Sequence, residues 1–112
     1  MIIRHRLPYK SFTKIDRYVF ADRDLSDGAK VLYGYMCGLR NGANFSDKYI
    51  QAALNLSQPV LARRKRELTK AGLIMVEQIS ARIYVIYIGF KGYPAEQVKT
   101  DWEKEEDKYN EK

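Results

Sequence analysis

Histidine and cysteine are almost missing from this chain: His5 and Cys37 stand alone. One cysteine closes no internal disulfide, and a single histidine leaves neither a metal-ligand cluster nor a Cys/His nucleophile pair to assemble. No pair of carboxylates is placed by a motif, and no glycine-rich phosphate loop occurs. Catalysis needs a base or nucleophile held in place, so an enzyme is not expected, and neither a cofactor nor a metal is implied. Long apolar runs are missing as well. None approaches the roughly 20 residues needed to span a bilayer. Met1-Ile2-Ile3-Arg4-His5-Arg6 also lacks the long apolar segment of a secretion signal. A cytoplasmic protein without membrane contact is the expectation, with Cys37 a small apolar residue in a helix.

Acidic residues are scarce over most of the chain. Residues 1–93 carry 16 Lys/Arg against 7 Asp/Glu, a balance of +9; residues 94–112 carry 4 against 7, a balance of −3. That asymmetry points to a basic body that meets an anion and an acidic tail that does not. A membrane surface is the weaker anion candidate, because no long helix combines a basic face with a bulky apolar one. Nucleic acid is the stronger. The 112 residues, 46% hydrophobic and 30% charged, suit a domain over 1–93 with an acidic helical tail over 94–112.

Taken in order, Ile2-Ile3 and the stretch 9–15 can each be extended, with Pro8 breaking between them; 11–15 fits a helical turn as well. Tyr18-Val19-Phe20 is apolar and can pack on the neighbouring helix. That helix opens at Ser26, a capping residue, with Asp27 where the helix dipole favours negative charge. Ala29, Leu32, Met36 and Leu39 then repeat at three-four-three spacing, while Gly34 and Gly38 would allow close packing. Asn41-Gly42-Ala43-Asn44 reads as a turn, and Ser46 caps a short helix whose Ile50, Ala53 and Leu54 share a face.

Only Asn55-Leu56 separates that helix from Ser57, a cap for the next one, in which Pro59 falls in the first turn. Leu61, Leu68 and Ala71 share one side of it; Arg63, Arg66 and Lys70 point the opposite way, with Arg64 on a flank. Gly72 stops the helix, since glycine accepts the left-handed conformation a C-terminus often needs. Two short helices so tightly joined, the second basic outside, form a helix-turn-helix. A solvated basic face on an ordinary helix is the plainer alternative. From Leu73 the period becomes that of strands: 73–78 and 82–88 are extended, joined through Gln78-Ile79-Ser80-Ala81. Gly89-Phe90-Lys91-Gly92-Tyr93-Pro94 reads as a linker, and from Ala95 a last helix runs with Val98, Trp102 and Tyr109 as its apolar stripe.

Helix, helix-turn-helix, then hairpin is the order of a winged helix: α+β, mainly α, with a two- to three-stranded wing and an extra C-terminal helix. Residues about 12–88 resemble the winged helix-turn-helix domains of plasmid and phage DNA-binding proteins, among them replication initiators, replisome organisers and plasmid-transfer accessory factors. The matching phrases are Asp24-Leu25-Ser26-Asp27-Gly28-Ala29-Lys30-Val31-Leu32-Tyr33, Phe45-Ser46-Asp47-Lys48-Tyr49-Ile50 and Leu68-Thr69-Lys70-Ala71-Gly72-Leu73-Ile74. The resemblance implies the fold and binding of double-stranded DNA and does not decide among replication, transfer, partition and transcription. Sequence-specific origin binding, accessory to replication initiation or conjugative transfer, is the expected role. The helix over 57–71 would enter the major groove and the hairpin tip would reach phosphate or minor groove. Carried over by position, it nominates Gln58, Val60, Arg63, Arg64, Arg66 and Lys70 in the helix and Ser80 and Arg82 in the wing. A homodimer or tandem copies on repeated sites, and other replication or transfer proteins, are the further partners implied. A transcriptional repressor, or an adaptor that turns the same helix to an acidic protein, are the alternatives.

Two departures from the pattern stand out. Lys65, four after Leu61 and three before Leu68, occupies a position that normally faces the core. Pro59 and Val60 also give the helix's leading end few base readers besides Gln58, which shifts expected readout toward the wing or the N-terminal arm. Arg82→Ala is therefore expected to cost at least as much specificity as loss of any single helix arginine.

Overall fold

In the computed structural model, which describes residues 2–4, 15–39 and 46–110 (the last four as backbone only), the chain is α+β and mainly helical. Strand β1 (Ile2–Arg4) precedes the helices α1 (Arg17–Phe20), α2 (Asp27–Cys37), α3 (Asp47–Leu54) and α4 (Gln58–Lys70). Strands β2 (Ile74–Gln78) and β3 (Tyr84–Ile88) come next, then helix α5 (Ala95–Asn110). His5, the stretch 9–14, the turn expected at 41–44 and Phe45 lie outside the described residues, as does the side chain of Tyr109.

Short polar side chains start the helices by accepting from first-turn amides that have no partner within the helix. Ser26 Oγ accepts from Ala29 N at 3.2 Å and Ser46 Oγ from Tyr49 N at 3.1 Å. Asp16 does the same for α1, accepting from Tyr18 N at 2.9 Å. Ser57 departs from expectation: its backbone is extended, as a cap requires, but its hydroxyl makes no capping bond. Pro59 is the second residue of α4 and has no N–H, which removes one of the two amides such a hydroxyl serves. The other end of α4 obeys the glycine rule. Gly72 has φ 76°; Leu73 N donates to Leu68 O at 3.1 Å and Gly72 N to Thr69 O at 3.0 Å, capping the last carbonyls. Ala71, expected on the buried side, is exposed because the helix ends there.

The sheet order is β1-β3-β2. β2 and β3 form an antiparallel hairpin with Val76 opposite Ile86, and β1 lies parallel to β3 with Ile3 opposite Ile86. Side chains alternate across a sheet, so each face acquires its own cover. On one face Ile3, Ile74, Ile86 and Ile88 join Ala29, Leu32 and Met36 of α2, Ile50 of α3, and Leu61 and Leu68 of α4. On the other, Val85 and Tyr87 meet Ala95 and Val98 of α5, with Met75 and Trp102 at the margin. Val98 and Trp102 of the tail helix's apolar stripe thus pack on its own sheet.

The stretch 89–94, read from composition as a linker, is pinned at both ends. Gly89 N donates to Leu73 O at 2.9 Å, Ala95 N to Gly72 O at 3.0 Å, and Lys91 N to Asp16 Oδ2 at 2.9 Å. The Tyr33 hydroxyl donates to Gly89 O at 2.6 Å, tying this turn to α2. Among the described residues no helix is long and apolar enough to cross a membrane.

Candidate nucleic-acid interface

The pose of α4 is set by what its flanks touch. On the α3 side, the Lys65 ammonium reaches Asp47 Oδ1 at 2.7 Å, with the lysine side chain 18% exposed. A cation at a core-facing register is therefore accommodated by running its stem along the core edge to a carboxylate in the first turn of α3. Asn55, at φ 54°, makes the tight turn between the two helices, and Leu56 N donates to Gln51 O at 2.9 Å. Asparagine tolerates this left-handed conformation better than most residues.

On the α2 side, the Glu67 carboxylate accepts both the backbone N–H of Ser26 and, at 2.8 Å, its hydroxyl. Within a single helix a capping box supplies that carboxylate three residues after the cap; here α4 supplies it to α2. Those two bonds, the backbone one first, hold the Glu67 carboxyl below its usual range, with Arg63 and Arg64 adding a smaller pull. Arg64 also belongs to this flank. Its guanidinium lies across Gly28, where a methyl group would collide with it. A sequence-nominated arginine is thus partly committed to holding α2.

Away from both flanks, Arg63, Arg66 and Lys70 make no side-chain hydrogen bond or ion pair among the described residues. Gln58 is exposed at the leading end and Val60 is half-buried. Between α4 and β2 runs an open groove of about 540 Å³, walled by Gln58, Ala62, Arg66, Thr69 and Lys70 on one side and Val76 on the other. Ala62 and Thr69 are not among the sequence nominees. Their helical spacing of four and eleven from Gln58 is the signal that places them on this wall. The hairpin tip is a turn in which Ile79 N donates to Ile83 O at 2.9 Å and Ile83 N to Ser80 O at 3.3 Å. Ser80 and Arg82 are exposed there, Arg82 lying in the turn rather than in the strand. Tyr84 begins β3 exposed, whereas Tyr87 is buried and receives Arg4 Nη1 on its hydroxyl at 3.1 Å.

The remaining chemistry of the described residues is quiet. Burial pushes the Cys37 thiol up to about 12, so it stays protonated at neutral pH. Among the described residues no group of three or more His, Cys, Asp or Glu is placed to hold a metal ion. Comparison with protein-family models, with curated proteins and with solved structures finds no match.

Proposed function

We propose that this chain is a winged helix-turn-helix protein that binds a specific duplex DNA site on a mobile genetic element, in the cytoplasm, as an accessory to replication initiation or conjugative transfer. The observation that carries the reading is the division of charge on α4. Lys65 and Glu67 are held by α3 and α2, and Arg64 lies on α2, whereas Arg63, Arg66 and Lys70 form no ion pair with a described residue. Three such cations on one rigid helix, with a fourth, Arg82, on a hairpin tip, suit a phosphate backbone that runs past both.

In this reading α4 lies in the major groove, Gln58 and the outward arginines meet base edges or phosphate, and Ser80 and Arg82 contact the flanking backbone. The α3–α4 turn supports it by fixing the angle at which α4 is held out. The test is selection of bound sequences from a random duplex pool, then titration of the selected and a scrambled duplex at several salt concentrations. The expected result is one enriched motif, preferred over scrambled DNA by about a thousandfold or more. Its affinity should fall linearly with log salt, about 0.9 units for each phosphate neutralised. If no motif emerges and any polyanion binds equally well, the chain is an adaptor for an acidic partner instead. A single arginine that makes a bidentate guanine contact should cost about 1–3 kcal/mol when replaced by alanine and relax preference at one base position.

A further inference from the structure

Three exposed apolar side chains gather where α1 and the residues before it meet the outer side of α2. Phe20 is 62% exposed, Val31 55% and Ile15 37%. They are not scattered. Together with Gly34 they wall a groove of about 430 Å³ between α1 and the outer side of α2. Gly34 lets Ile15 pack closely on α2 within this lining: a methyl group there would lie 2.7 Å from Ile15 Cδ1. Asp27 and Lys30 stand in the same lining, one turn apart, and neither side chain makes an ion pair with a described residue.

This surface carries both halves of a fit. It has an exposed aromatic and an apolar recess, with one acid and one base in the same lining. A surface that is its own complement closes about a two-fold axis, because each contact made by one copy is returned by the other. We infer that this face pairs with the same face of a second copy, each Phe20 entering the other copy's groove against Val31, and each Asp27 facing Lys30 of the other copy. Exposed apolar surface rimmed by charge is the usual mark of such a contact, and a central aromatic supplies much of its strength. The pairing is of modest area and so depends on concentration. None of Gln58, Arg63, Arg66, Lys70 or Arg82 lines the groove, so pairing leaves α4 and the hairpin free. The inference does not rest on the DNA reading.

Sedimentation velocity of the full chain without DNA, from ~5 μM to ~500 μM, tests it. The mean mass should rise from one chain toward two. Phe20→Ala and Val31→Lys should each move the midpoint upward at least about tenfold. Asp27→Lys alone and Lys30→Asp alone place like charges opposite each other and should weaken pairing, while the double exchange should restore it. Should Val31→Lys fail to fold by circular dichroism, Phe20→Ala, which removes mostly exposed atoms, carries the same reading. A mass that stays at one chain throughout overturns the inference. So does a dimer indifferent to Phe20→Ala, or a double exchange no better than the single ones. A dimer that binds no DNA upholds the pairing and sinks the DNA reading; a monomer that binds DNA does the reverse.

Discussion

The two long helices of this protein cover related ground and treat their charges in opposite ways. On one face of the sheet, α5 is acidic, and its charges are tied back to the body. Lys99 pairs with Glu77 of β2 at 2.6 Å and with Glu103 at 3.6 Å, and Glu106 approaches Arg4 at 3.8 Å. The Glu77 bond holds the Lys99 ammonium above its usual range. Arg4 also lies over the Trp102 and Tyr87 rings, at 5.3 and 5.8 Å, joining β1 to the tail helix. On the other face, α4 anchors its flanks and leaves Arg63, Arg66 and Lys70 without an ion pair among the described residues. A helix whose charges are matched internally is part of the fold. One that holds three cations outside any ion pair with a described residue leaves their charge facing solvent.

That contrast can be broken at its apolar roots. Leu68→Ala removes a fully buried side chain from beneath α4 and should cost about 2–5 kcal/mol in denaturant unfolding. Val98→Ala removes two buried carbons from beneath α5 and should cost about 1.5 kcal/mol, at roughly 0.8 per carbon. A silent Val98→Ala would mean that the tail helix does not rest on the sheet. Lys65→Leu is next in size. Its core-facing register alone favours a neutral or stabilising outcome, but the Asp47 pair shifts the expectation to a loss of up to about 1 kcal/mol, erased when Asp47→Ala is already present. Additive losses would show that the pair contributes nothing to the α3–α4 angle.

The smallest effect sharpens the contrast by pH. Glu67 has its carboxyl lowered from an ordinary 4.5 by the Ser26 bonds. The folded state therefore binds its proton less readily than the unfolded chain. The stability this contributes is fully present above about 4.5 and lost as pH falls through the lower folded value. The midpoint of urea unfolding should drop on acidification below about 4.5, and Glu67→Gln should flatten part of that drop. An unchanged acid limb in the variant would remove Glu67 from the α2–α4 contact.

Much of this is legible in the sequence because it is local. Ser26, Ser46 and Gly72 act on amides and carbonyls within a few residues of themselves, and the β-branched run of β3 admits no other period. The outward set Arg63, Arg66 and Lys70 comes from helical spacing alone. What escapes such a reading is set at long range. β1 is three residues long and exists because β3 offers it an edge more than eighty residues later. The stretch 89–94 has the composition of a linker, yet Leu73, Gly72 and Asp16 hold it. Arg64 looks equivalent to its neighbours in the sequence, and only Gly28 shows where its guanidinium lies. Ser57 marks the right position for a cap and makes no cap bond; Pro59, two residues on, removes one of the two amides it could serve.

The central claim is that Arg63, Arg66 and Lys70 serve an external polyanion and not the fold. The most direct measurement is the salt dependence of duplex binding by an Arg63→Ala, Arg66→Ala, Lys70→Ala triple variant, with its unfolding free energy measured in parallel. Surface cations outside any ion pair with a described residue should alter stability by no more than about 0.5 kcal/mol. If each neutralises one phosphate, the logarithmic salt slope should fall by close to 3 units, at about 0.9 per phosphate. A triple variant that folds normally and binds with the parent slope would contradict the account.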